Sequence, residues 1–141
     1  MKLKLSRVEM WTARIEDRAG GAADKLEPLA KAGVSLEFVF ARRAPELPGQ
    51  GILFVAPVKG RKAVKAAQEA GLARSENICA VRIEGANKPG VTAHMLRALA
   101  NAGISFRALS AAAIGSKFVG YLALDTADDA ARANSVLKKL S

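Results

Sequence analysis

Apolar positions fall into two alternating spacings along this chain. Residues 8–15 and 78–84 are apolar stretches of strand length. Each is broken by a polar, glycine-bearing segment: Asp17-Arg18-Ala19-Gly20-Gly21 in one case, Asn87-Lys88-Pro89-Gly90-Val91 in the other. Leu26, Leu29, Ala30 and Gly33 then recur at the spacing of one helix face, as do Leu96, Leu99, Ala100 and Gly103. Proline is favoured just inside a helix start, which places Pro89 there, and Gly33 and Gly103 sit where a helix stops. Strand alternation resumes at once, with Val34, Leu36, Phe38 and Phe40 in one place and Ile104, Phe106 and Ala108 in the other. Turn residues (Pro45, Pro48, Gly49 and Gly51, or Gly115 and Ser116) lead to third strands at residues 52–56 and 118–124. Helices close each series: residues 61–70, and residues from about 127 to 140 with Thr126 as N-cap and Asp129 three residues on.

The two series are copies of one another. A shift of 70 residues superposes Gly20, Ala23, Leu26, Leu29, Ala30, Ala32, Gly33 and Ser35 on Gly90, Ala93, Leu96, Leu99, Ala100, Ala102, Gly103 and Ser105. That is eight identities in 23 positions, against roughly two by chance in so alanine-rich a chain. Residues 1–70 and 71–141 are therefore read as two units. Each has the order β-α-β-β-α, one strand short of a ferredoxin-like βαββαβ unit. Residues 72–77 would complete the first unit, and the same shift maps Lys2–Arg7 onto them. The leader Lys2-Leu3-Lys4-Leu5 is thus expected to close the second unit. The expected fold is α+β: two such units in tandem, related by approximate two-fold symmetry, with exchanged edge strands.

A βαββαβ unit whose first strand ends in Asn87-Lys88-Pro89-Gly90-Val91, with a helix ending Ala100-Asn101-Ala102-Gly103-Ile104-Ser105, resembles the ACT domain family. The family pattern in the first loop is an acidic residue or Asn, any residue, then Pro-Gly. Asp17-Arg18-Ala19-Gly20 departs from it at Ala19. The resemblance spans nearly the whole chain as two copies. It implies a regulatory, non-catalytic protein that binds an amino acid between paired units, against the loop after strand one and the start of strand two. Carried over, the ligand-binding positions are Asn87, Lys88, Pro89, Gly90, Val91 and Ser105, with Asp17, Arg18, Gly20, Gly21 and Ser35 as their counterparts. Many relatives carry Asn where this chain has Ser35 and Ser105, so a side-chain amide is missing there. The physics suits such a ligand: a helix N-terminus presents unpaired N–H groups to a carboxylate, and glycine lets it approach the backbone. Asp17 or Asn87 could accept from an ammonium, although either also serves to organise a turn. The resemblance further implies a partner enzyme of amino-acid metabolism and leaves homodimerisation open.

Composition narrows the alternatives. The net charge of +9 is spread along the chain, +5 over residues 1–70 and +4 over 71–141, with no basic tail. RNA-recognition sheets of related topology carry stacking aromatics in an Arg/Lys-Gly-Phe context that is missing here, so nucleic acid ranks third as a partner. An interaction subunit that docks on a biosynthetic enzyme ranks second. No segment has the 18 to 20 consecutive apolar residues that span a bilayer (a length expected from about 30 Å of hydrocarbon), no signal peptide is apparent, and a single cysteine suits a reducing compartment. A cytoplasmic location is expected. One His (His94) and one Cys (Cys79) do not make a zinc site. Cys79 reads as a packed thiol, and Trp11 and Tyr121 as core residues. Neither a metal nor a cofactor is expected.

Overall fold

A computed structural model describes residues 2–140 of the chain. The elements run β1 (Leu3–Glu16), α1 (Ala23–Lys31), β2 (Phe38–Arg43), β3 (Gln50–Ala56), α2 (Arg61–Glu69), β4 (Ala73–Ala86), α3 (Val91–Asn101), β5 (Ala108–Ile114), β6 (Lys117–Leu124) and α4 (Ala127–Lys138). The fold is α+β and its assigned strand pairs are antiparallel. Two compact units emerge, and neither is a simple half of the chain. One is Glu9–Ser75; the other joins residues 2–8 to residues 76–140.

In Glu9–Ser75 the strand order is β2-β3-β1. Trp11 and Ala13 of β1 alternate inward beside Leu53 and Val55 of β3, as the two-residue period of a strand requires. Val58, Leu29 of α1, Ala63 and Ala67 of α2, and Leu72 complete the core, with Leu26, Val34 and Leu36 packed at its margin. Ala63 and Ala67 lie one turn apart on α2, and their small side chains let the helix backbone approach closely. Leu72 and Arg74 belong to the stretch beyond residue 70: Leu72 is buried in this core, Arg74 pairs with Glu9 at 2.7 Å, and its guanidinium stacks 5.5 Å above the Trp11 ring.

In the other unit the order is β4-β6-β5. Its core joins Val81 and Ile83 of β4, Phe118, Leu122 and Leu124 of β6, Met95 and Leu99 of α3, Ile104, and Ala130, Ala133 and Leu137 of α4. Leu3 and Leu5 of the leader pack against this core. The fit is tight: a Cβ on Gly85 would meet Leu3 Cδ2 and Phe118 Cε1, each at 3.0 Å.

Three helices end in the same way. Gly33, Gly71 and Gly103 take positive φ (78°, 89° and 71°), and the following residue donates back to the carbonyl five earlier: Val34 to Leu29, Leu72 to Ala67, Ile104 to Leu99. This is the Schellman motif, with the apolar contact that accompanies it. It also corrects two expectations. Strand two does not start at Val34 or Ile104; those residues serve the helix cap, and the strands begin at Phe38 and Ala108. Pro89 does not sit inside α3, because Gly90 precedes the helix in a left-handed conformation (φ 83°) and the first turn begins at Val91. The Thr126 cap forms as expected, its Oγ1 accepting from Asp129 N–H at 3.0 Å.

Candidate functional site

The loop after β1 is built around Arg18. Its guanidinium donates to Glu16 and Asp24, the latter at 2.6 Å, and to the Ala19 carbonyl at 3.0 Å. The hydrogen bonds to Glu16 first, and then to Asp24, raise the Arg18 pKa above its ordinary value. Gly21 is buried under this cluster, where any Cβ would run into the Glu16 carbonyl. Gly20 carries φ 88°, which an L side chain resists. Asp17 is not left open: its N–H donates to Gly49 O at 3.1 Å, and its carboxylate accepts from Arg43 Nε at 3.0 and 3.2 Å. One groove of about 280 Å³ runs between this loop and Ala41–Arg43. A second, of about 400 Å³, lies over Arg14, Glu16, Arg18, Asp24, Lys25 and Gln50.

The loop after β4 carries far fewer side-chain bonds. Asn87 N–H donates to Ser116 O at 2.8 Å, and Val91 N–H to Lys88 O at 3.2 Å. No side chain caps α3. Asn87, Lys88, Pro89 and Gly90 are exposed and Val91 is half-buried. The first turn of α3 therefore keeps N–H groups that an anion could accept from.

Ser35 and Ser105 lie elsewhere. Glu37 N–H donates to Ala56 O at 2.9 Å, and Arg107 N–H to Ala123 O at 2.8 Å. This ties the start of β2 to the end of β3, and the start of β5 to the end of β6. The loops are tied to the opposite ends, Asp17 to Gly49 just before β3 and Asn87 to Ser116 just before β6. A strand the length of β3 spans roughly 20 Å. Within each unit, then, the loop residues come together and the serine stands at the far end.

Reading from the chain alone overlooked Arg14, Asp24, Lys25, Arg43 and Gln50. Arg43 reaches Asp17 only through the β2–β3 hairpin, 26 residues on, and no local pattern signals that. Among the described residues, Gln50 Oε1 and Trp11 Nε1 are buried without a hydrogen-bond partner.

The remaining candidates lie outside these two loops. Cys79 is partly buried against the core of its unit, and His94 is exposed on α3. Tyr121 is buried, its hydroxyl 3.3 Å from Arg82 Nε, and Arg82 also holds Glu84 at 2.9 Å. That bond raises the Arg82 pKa and lowers that of Glu84. Among the described residues no group of three or more His, Cys, Asp or Glu could hold a metal ion, and no helix is long and apolar enough to cross a membrane.

No protein-family model and no curated protein matches the chain. Solved structures do match, over nearly the whole chain. The regulatory subunit of aspartate kinase from Thermus thermophilus, in a ligand-free form, aligns with a TM-score of 0.65 at 20% identity, covering 98% of this chain and 96% of that one. This chain is similar to it in fold. The corresponding subunit from Thermus flavus gives 0.60 at 19% identity, covering 99% and 96%. A protein from Bacteroides thetaiotaomicron gives 0.76 at 21% identity, covering 96% and 89%.

Proposed function

We propose that this protein is a non-catalytic regulator made of two ferredoxin-like ACT units (residues 1–70 and 71–141, exchanging their edge strands) that binds an amino acid and acts on an enzyme of amino-acid metabolism. The observation that carries the reading is a fold shared end to end with regulatory subunits of aspartate kinase, 96% of whose length aligns. An aspartate kinase is the example of a partner that this likeness offers. The loop Asn87-Lys88-Pro89-Gly90-Val91 supports ligand binding, because it presents free N–H groups at α3 and a glycine at the point of approach. Asp17, Arg18, Gly20 and Gly21 form the corresponding loop.

Ser35 and Ser105 stand at the far ends of their units, so a site that joins loop and serine draws them from two different units. Homodimerisation is one way to bring different units together. β2 and β5 each have a strand neighbour on one side only, and Ile114 of β5 is 78% exposed; free apolar edges of this kind invite pairing. A cytoplasmic location belongs to the same reading. The engagement of Asp17 by Arg43 and the exposed Val39, Phe40 and Phe106 favour a second reading, in which the protein docks on its partner enzyme without a ligand of its own.

A thermal-shift screen against the twenty amino acids at millimolar concentration tests the proposal. A ligand at about 100 times its Kd adds about 2.7 kcal/mol of stability. A shift with one chemical class that Asn87→Ala weakens supports the sensor. The absence of a shift with all twenty overturns it in favour of the docking subunit.

A further inference from the structure

The groove between α1 and α2 is lined mainly by charge of one sign. It has a volume of about 550 Å³ and lies wholly within Glu9–Ser75. Half-buried Ala32, Ala66 and Ala70 form its floor, and exposed Lys31, Lys62 and Lys65 form its rim. Among the described residues none of these lysines takes part in an ion pair. Lys62 and Lys65 are three residues apart on α2 and so share one side of it. Lys59 and Arg61 extend the basic run to the start of that helix. Positive charge is disfavoured there by the helix dipole, yet the first turn of α2 holds no acidic residue and no side chain caps it. The basic residues thus work against the stability of their own helix, and an acidic partner would offset this.

The second copy of the repeat provides the contrast. The 70-residue shift superposes buried Ala63 and Ala67 of α2 on buried Ala133 and Leu137 of α4, and half-buried Ala66 and Ala70 on half-buried Val136 and Leu140. Where the first unit has alanine on the groove floor, the second has larger apolar side chains packed against its core. Lys62 falls on Arg132, which pairs with Asp129 and donates to the Ala102 carbonyl at 2.8 Å, tying α4 to the C-cap of α3. Lys31 and Lys65 fall on the uncharged Asn101 and Ser135. α4 also opens with Thr126, Asp128 and Asp129, as the dipole favours. One copy is filled and internally paired; the other is left open and positive.

We propose that the α1–α2 groove is a docking surface for an acidic amphipathic helix of another protein. Its apolar side chains lie over Ala32, Ala66 and Ala70, and its carboxylates meet Lys31, Lys62 and Lys65. A groove between two helices accepts a third through interdigitating side chains, and opposite charge steers and orients the pairing. A second copy of this chain is a poor occupant, since each copy carries +9. Nucleic acid is disfavoured by Glu69 in the lining, and no lining residue is an aromatic on which a base could stack. The inference rests on the regulatory reading only in that the protein acts through another protein; it needs no amino-acid ligand.

Fluorescence anisotropy on the full chain tests it. The probe is a labelled synthetic peptide of about 18 residues, long enough to form a helix, with leucines along one face and glutamates flanking them. A scrambled peptide of the same composition and single-stranded polyuridine serve as comparisons. Lys62→Glu with Lys65→Glu should weaken the peptide about tenfold or more. Both side chains are exposed, and the new acid in the first turn suits the dipole, so this variant should melt no lower than the wild type. Lys138→Glu with Lys139→Glu makes the same change of net charge on exposed residues of the other unit and should leave the affinity within about twofold. Ala66→Val with Ala70→Leu fills the floor as the second unit does and should also weaken binding. Failure of the wild type to bind the peptide, wild-type affinity in Lys62→Glu with Lys65→Glu, or an equal loss in the Lys138/Lys139 pair would each overturn the proposal. So would equal binding of the scrambled peptide, or tighter binding of polyuridine that displaces the peptide. A thermal shift with an amino acid that persists alongside any of these results leaves the regulatory reading standing, whereas peptide binding without such a shift removes the ligand and keeps the docking surface.

Discussion

Replacing both Leu3 and Leu5 with alanine isolates what the leader contributes, because the strand stays in place and only its inward side chains change. Both leucines are half-buried against the core formed by Val81, Leu122, Leu124 and Leu137. A fully buried Leu→Ala change costs about 2–5 kcal/mol. Half-burial scales this to about 1–2 kcal/mol each, or roughly 2–4 kcal/mol for the pair, a large part of the 5–15 kcal/mol that holds a typical domain together. At about 4 °C per kcal/mol for a chain of this size, the midpoint should fall by roughly 8–16 °C in a melt followed by circular dichroism. Urea unfolding should show a lower midpoint at unchanged slope. Amide exchange in β4 and β6 should speed up, since these strands share the core the leucines cover. The matched control is Lys2→Ala with Lys4→Ala. These side chains alternate outward and are exposed, so the change should stay within about 0.5 kcal/mol. A Leu3/Leu5 variant that melts within about 2 °C of the wild type would refute the packing role of the leader.

Three other outcomes follow from single contacts. Thr126→Ala removes the acceptor for Asp129 N–H and should cost about 1 kcal/mol by chemical denaturation, with Thr126→Ser restoring it. Gly21→Ala puts a Cβ into the Glu16 carbonyl and should cost about 1–3 kcal/mol as the loop shifts; an unchanged melt would show that the loop yields freely. Glu84, held by Arg82, has its pKa lowered in the folded state, so the pair stabilises the fold above the unfolded value (about 4.3) and the benefit is lost as pH falls through the folded value. The stability gap between wild type and Glu84→Gln should therefore be constant near neutrality and close below about pH 4.

Much of the local structure was legible in the chain itself. The helices follow from apolar residues at three- and four-residue spacing, their ends from Gly33 and Gly103, and the start of α4 from Thr126 and Asp129. The 70-residue shift pointed the leader at the second unit, and Leu3 and Leu5 pack there. These features are short-range or repeated, so periodicity and a single residue's φ preference encode them. Other features depend on which strands meet and in what register. The antiparallel β2–β3 hairpin brings Arg43 onto Asp17, the β1–β3 register sets Arg14 and Gln50 on one face, and the same directionality sends Ser35 and Ser105 away from the loops they were grouped with. Val34 and Ile104 show the contest at close range. Alternation marks them as strand, but the Schellman bonds at Gly33 and Gly103 draw their N–H groups back to the helix. The sequence by itself determined the elements, their order and their repetition; only the tertiary structure decided which side chains share a site, because strand direction and register carry residues far apart in the chain to the same place and neighbours to opposite ends.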